Sequence, residues 1–107
     1  MHERGLIAGV IAEVVERAGG GRVGRVVVTV GPEVDPLVVK TAWLSEVTGT
    51  TAETAELVVQ ETLDTMRCFT CGIEYEGGKL DPCPDCGRDG LVIRAAPEVA
   101  LKSWDPA

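Results

Sequence analysis

Four cysteines lie in two Cys-x-x-Cys pairs, Cys68-Phe-Thr-Cys71 and Cys83-Pro-Asp-Cys86, with eleven residues between the pairs and no cysteine elsewhere in the chain. Each pair offers two sulfurs from one tight turn, and two such turns close a tetrahedron of thiolates around a divalent ion such as zinc. Gly72 and Gly87 each follow the second cysteine of a pair, where a metal knuckle turns through positive φ. Disulfide pairing is the weaker reading, because a two-residue gap suits metal knuckles and nothing in the chain looks secreted. A redox Cys-x-x-Cys usually opens a helix beside a strand, and the glycines argue against that arrangement. With all four sulfurs committed to one ion, no cysteine remains for catalysis.

Iron is the competing ion. Cys71-Gly72-Ile73-Glu74-Tyr75 and Cys83-Pro84-Asp85-Cys86-Gly87 resemble the two knuckles of rubredoxin, an iron electron carrier, and four tetrahedral sulfurs suit either metal. The 72–82 loop is shorter than in rubredoxin and the apolar shell around it is thin, which favours zinc. Colour separates the two, since a ferric site is red and a zinc site is colourless.

A second candidate donor set lies at the other end of the chain, which begins Met1-His2-Glu3 and has its one histidine at position 2. A large second residue is expected to leave the initiator methionine in place, so the free amine belongs to Met1. The Met1 amine, the His2 amide nitrogen and the His2 imidazole can form adjacent chelate rings, and Glu3 can add an amide or carboxylate. Nitrogen-rich tetragonal sites suit Ni(II) or Cu(II). The same residues also fit a solvated terminus in which Glu3 complements the positive end of a helix dipole. A helix beginning near Gly5 is expected to hold this terminus against the folded body.

The elements that must carry these groups are legible from patterning. Leu6, Val10 and Val14 form one i,i+4 row, and Ile7, Ile11, Val15 and Ala18 form the next, giving a broad apolar stripe on a first helix that ends at Gly19-Gly20-Gly21. The β-branched run 25–30 reads as a strand, with Val26, Val28 and Val30 on one face and Val27 and Thr29 on the other. Asp35-Pro36 is an N-cap followed by a first-turn proline, opening a second helix with Leu37, Val39, Trp43, Leu44 and Val47 as its apolar residues. Further strands are expected around 55–63 and 98–104. Leu57, Val59, Val99 and Leu101 would then complete the face begun by Val26 and Val28, and both helices would pack on it. Val27, Val58, Ala100 and Trp104 are expected on the opposite face, as ordinary exposed apolar surface or as a docking patch.

The resulting fold class is α+β: two helices packed on a three-stranded sheet, with an inserted four-cysteine zinc-ribbon module. The expected boundaries are an α/β domain at 1–65, completed by a final strand at 94–107, and a zinc-binding module at 66–93. One hundred and seven residues suffice for one modest core and a metal-stapled appendage.

Charge narrows the partners. The formal net charge is −7, and four thiolates around one divalent ion take it to about −9. Zinc ribbons that bind nucleic acid do so through basic patches, whereas residues 66–94 hold only Arg67, Lys79, Arg88 and Arg94 as cations. Nucleic acid is therefore not expected as a partner. Glu13, Glu16 and Arg17 interrupt the first apolar segment, so neither a signal peptide nor a membrane span is expected, and a reducing cytoplasm suits the thiolates.

The Met1-His2-Glu3 start, the order helix, Val-rich strand, helix and strand, and the Cys68, Cys71, Cys83, Cys86 set together resemble the HypA/HybF family of hydrogenase nickel-incorporation proteins. The resemblance covers essentially the whole chain. It implies a metallochaperone, not an enzyme, in which positions matching Met1, His2 and Glu3 hold nickel and the four cysteines hold structural zinc. It further implies a HypB-like GTPase and the precursor of the [NiFe]-hydrogenase large subunit as partners, with urease as a client of some members. This chain departs from the family's usual apolar residue and serine after Met-His-Glu, having Arg4 and Gly5 instead, and Pro32-Glu33-Val34-Asp35 replaces the usual segment after Gly31. Gly5 also removes an expected N-cap hydroxyl. Transfer by ligand exchange is the expected mechanism, because a terminal site can keep an edge open to an acceptor. A structural zinc-ribbon adaptor and a rubredoxin-like iron carrier are the alternatives.

Overall fold

The computed structural model describes residues 2–107, with side chains from Arg4 onward. The first helix, α1, spans His2–Ala18, so Gly5 lies inside it and not at its cap. Ile7, Val10, Ile11 and Val14 are buried, the spacing of one helical face. Leu6, expected in that stripe, is 37% exposed at its margin. Gly19 and Gly20, at φ 59° and 90°, end the helix through the left-handed turn that glycine permits.

Strand β1 (Val23–Val30) is the centre of the first sheet. It is followed by α2 (Pro36–Glu46), where Asp35 has extended backbone and its carboxylate accepts from the Leu37 amide at 2.9 Å. Helix α2 carries the chain over to β2 (Glu56–Glu61), which pairs parallel to β1, as a helical crossover allows. The closing strand β6 (Val99–Pro106) pairs antiparallel on the other side of β1. Both helices pack on one face: Ile7, Val10, Ile11 and Val14 of α1, and Val39, Trp43 and Val47 of α2 and its cap, share a core with Val26, Val28, Val30, Leu57, Val59, Val99 and Leu101. The molecule is α+β, as the patterning predicts.

Packing decides one face that the sequence left open and corrects one expectation. Leu37 and Leu44 are 68% and 71% exposed. At about 100° per residue both lie roughly 150° around the helix from Val39, so the Val39–Trp43–Val47 row takes the core and leaves them outside. Trp104, expected on the open sheet face, packs on the core. Its partner is Val26, while Leu101 pairs with Val28, and the register shifts between Val27 and Val28. That bulge places one extra β6 residue against β1 and reverses the alternation, turning Trp104 to the same side as Leu101. On the open face Val27 is buried, with Val58 and Ala100 half-buried. Lys102 of β6 donates to Gln60 of β2 at 2.7 Å across β1.

Between β2 and β6 the chain forms a second sheet, in the order β4-β3-β5, from β3 (Asp64–Cys68), β4 (Glu74–Gly77) and β5 (Gly90–Arg94), all antiparallel. Its small core is Met66, Cys68, Tyr75 and Cys83, with Val92 packed against it. Buried Asp64 accepts from the Ala96 amide at 2.7 Å, and Lys79 stands 3.4 Å from Glu33. These contacts link the second sheet to the segments flanking the first. The molecule is elongated, 53 × 23 × 16 Å. Among the described residues no helix is long and apolar enough to cross a membrane.

Candidate metal centre

Two knuckles of the same construction face one another. Strand β3 delivers Cys68 and the turn after it delivers Cys71, with Gly72 at φ 77°; Cys83 and Cys86 precede Gly87 at φ 74°. In the first knuckle the Cys68 amide donates to the Ile73 carbonyl at 2.9 Å and the Gly72 amide to the Cys68 carbonyl at 3.1 Å. The second repeats both bonds, Cys83 to Arg88 at 2.9 Å and Gly87 to Cys83 at 2.8 Å. The sequence expectation for Gly72 and Gly87 is met for the reason given: each turn closes through a left-handed residue, which costs glycine little.

The four Sγ atoms all lie within 4.8 Å of one another. Cys68 and Cys86 sulfurs are 3.4 Å apart, and Cys71 and Cys83 sulfurs 3.6 Å. A zinc tetrahedron with Zn–S near 2.3 Å has S–S edges of about 3.8 Å, whereas a disulfide requires about 2.05 Å. The cysteines are free thiols. Cys68 and Cys83 are buried and Cys71 and Cys86 exposed, so the cluster has a core side and a solvent side.

Electrostatics fit an ion-binding cluster. The Cys71 amide, and after it the Thr70 amide, donate to Cys68 Sγ at 3.4 and 3.3 Å; outweighing the opposing effect of desolvation, they hold the Cys68 thiol down at about 6. The Ile73 amide pulls Cys71 down, but desolvation and the sulfurs of Cys68, Cys83 and Cys86 together push it up to about 12. The Arg88 amide likewise lowers Cys86, and the neighbouring sulfur of Cys68 with desolvation raises it overall. One thiolate is thus welcome and further ionisation is opposed by like charge, the repulsion a divalent cation at the centre removes. Four convergent thiols with amide donors already aimed at sulfur fit a structural zinc.

Tyr75 closes the core side. Its hydroxyl donates to the Asp81 carbonyl at 2.9 Å, fixing the loop that leads into the second knuckle. Desolvation, then the charges at Cys83 and Cys68, raise its hydroxyl above the ordinary tyrosine value. Gly90 lies directly beneath it: a Cβ there would collide with the Tyr75 hydroxyl and stand 3.0 Å from the Arg67 carbonyl oxygen. Tyr75, the chain's one tyrosine, enters the sequence reading only as the end of the first knuckle motif, and Gly90 does not enter it at all.

The other candidate set, Met1, His2 and Glu3, lies outside the described residues apart from the backbone of α1, which begins at His2. Two residues further, Arg4 donates from Nη2 to Ser45 Oγ at 2.8 Å, and its Nε is 2.9 Å from Glu46 Oε1. No spacing rule in the sequence signals a contact across 41 residues.

Residues 1–105 match the profile of the family described as HypA, hydrogenase/urease nickel incorporation, metallochaperone. The hydrogenase maturation factor HypA of Chlorobaculum tepidum is 33% identical over 112 residues, covering 97% of each chain. That of Aquifex aeolicus is 30% identical over 111 residues, covering 98% of this chain and 96% of its own. Among solved structures, the solution structure of the Ni metallochaperone HypA from Helicobacter pylori superposes with a TM-score of 0.65 at 20% identity, over 97% of this chain and 96% of that one. At that identity the likeness speaks for the fold alone.

Proposed function

Because the chain belongs to the HypA family of nickel-incorporation metallochaperones for hydrogenase maturation, we propose that it carries Ni(II) on Met1, His2 and Glu3 and delivers it to the precursor of a [NiFe]-hydrogenase large subunit. The family is one of maturation factors and not of enzymes. The observation that carries the reading is the convergence of all four sulfurs on one point: a closed tetrathiolate site has no open position, so a cargo ion needs donors elsewhere. The family match begins at residue 1 and includes the Met-His-Glu start.

In this reading Cys68, Cys71, Cys83 and Cys86 hold the zinc, and residues 66–93 form its module, inserted between an α/β domain at 1–65 and the closing strand within 94–107. When bound, the ion supplies the charge and cross-links that hold the second sheet, whose core is only a few side chains. The nickel site works differently. The Met1 amine and His2 nitrogens form chelate rings with one edge left to Glu3, water or an acceptor's ligand, and nickel passes on by stepwise ligand exchange. A HypB-like GTPase and the hydrogenase precursor are the partners, in the cytoplasm. The test is His2→Ala: equilibrium dialysis should show stoichiometric nickel lost and zinc retained. Unchanged nickel binding refutes the terminal site and favours an adaptor held by zinc alone.

A further inference from the structure

The first turn of α1 is pinned to the last turn of α2. The planar guanidinium of Arg4 uses separate nitrogens for Ser45 and Glu46, at 2.8 and 2.9 Å, a grip that fixes orientation as well as distance. Helix dipoles explain why these charges meet. The last turn of α2 has Glu46 and no basic residue, a placement its negative end disfavours. Arg4 supplies that cation from the neighbouring helix, while Glu46 sets an anion beside the positive end of α1. The core beneath closes through Ile7, Val10, Val39 and Trp43 without either group. The Arg4 and Glu46 side chains remain 52% and 31% exposed, so the domain has little need of this contact to fold. What the contact fixes is the turn two residues from His2.

We propose that Arg4 is a positioning residue for nickel: its grip on Ser45 and Glu46 holds the first turn of α1 in place before the ion arrives. The proposal rests on the amino-terminal nickel reading and deepens it. Ordering the terminus in advance removes part of the entropy lost on chelation. Two effects compete at Arg4, and they differ in sign. A free cation near the site repels Ni(II), so removing Arg4 tightens binding if only its field matters; if the tether matters, removing it weakens binding. Removing Glu46 weakens binding on either account.

The test uses the full zinc-loaded chain and nickel ion with a competing chelator, at 0.15 and 0.5 M salt. Arg4→Ala and Glu46→Ala should each weaken nickel binding roughly threefold to tenfold, with zinc content and helical circular dichroism unchanged. High salt screens the field and also weakens the partly exposed Arg4–Glu46 pair, so the loss in Arg4→Ala should shrink toward the part carried by the Ser45 hydrogen bond without changing sign. The exchanged pair Arg4→Glu with Glu46→Arg should recover part of it. Unchanged or tighter nickel binding in Arg4→Ala overturns the proposal, and so does a loss of helix or zinc that accounts for the effect. His2→Ala separates the two layers: if it abolishes nickel binding while Arg4→Ala does nothing, only the positioning role fails; if it binds nickel normally, the terminal site fails as well.

Discussion

Gly90→Ala places one methyl group where the second sheet has no room for it. Gly90 pairs with Cys68 at the edge of the metal cluster, and the added carbon meets the Tyr75 hydroxyl and crowds the Arg67 carbonyl. Tyr75 has little room to yield, being 8% exposed and bonded to the Asp81 carbonyl. Overpacking of this kind costs about 1–3 kcal/mol, and displacing the hydroxyl from Asp81 adds about 1 kcal/mol. Folding of this sheet and binding of zinc are linked, so a total of about 2–4 kcal/mol is read as zinc affinity weakened roughly 30- to 700-fold. The assay is competition against a chromophoric zinc chelator, with nickel binding as the unaffected control. Tyr75→Phe removes the colliding oxygen, so its cost should be smaller in the Gly90→Ala background than alone. Zinc affinity within threefold of the parent, or strictly additive costs, would refute the steric argument and with it the coupling of this packing to the metal.

The remaining predictions concern the thiols and the main core. Cys71, held up at about 12, and Cys86, raised above its ordinary value, enter zinc binding at pH 7 as thiols, whereas Cys68 at about 6 is already ionised. Zinc addition to metal-free protein should therefore release at least about two protons, and apparent affinity should rise with pH through the neutral range because acid favours the metal-free form; an indicator titration giving fewer than one proton per zinc contradicts this. Trp43→Ala should cost about 3–5 kcal/mol in chemical denaturation, while Leu44→Ala next to it should stay within about 0.5 kcal/mol, because the first is buried and the second exposed.

Legibility followed the range of the interactions. The knuckles could be read because Cys-x-x-Cys followed by glycine is complete within five residues, and positive φ at Gly72 and Gly87 is a local requirement. Asp35-Pro36 announced α2 for the same reason. The side of α2 that is buried could not be read, because Leu37, Val39, Trp43 and Leu44 are all apolar and only the packing of α1 and the sheet chooses among them. The bulge that turns Trp104 inward has no mark in the sequence of β6, since its cause is the register against β1. The bond from Ala96 to Asp64 and that from Arg4 to Ser45 join residues 32 and 41 positions apart, beyond the reach of any periodicity. Arg4 stood out in the sequence only as a departure from the family pattern, and its partners now give that departure a physical role.

The proposed division of labour between two metal sites is tested most directly by metal analysis of untagged protein after nickel and zinc loading, with the amino terminus either free or acetylated. The expected result is one zinc in both forms, with one nickel in the free form and none in the acetylated form. Equal nickel in the two forms, or loss of zinc on acetylation, would contradict the assignment of cargo to the terminus and of structure to the cysteines.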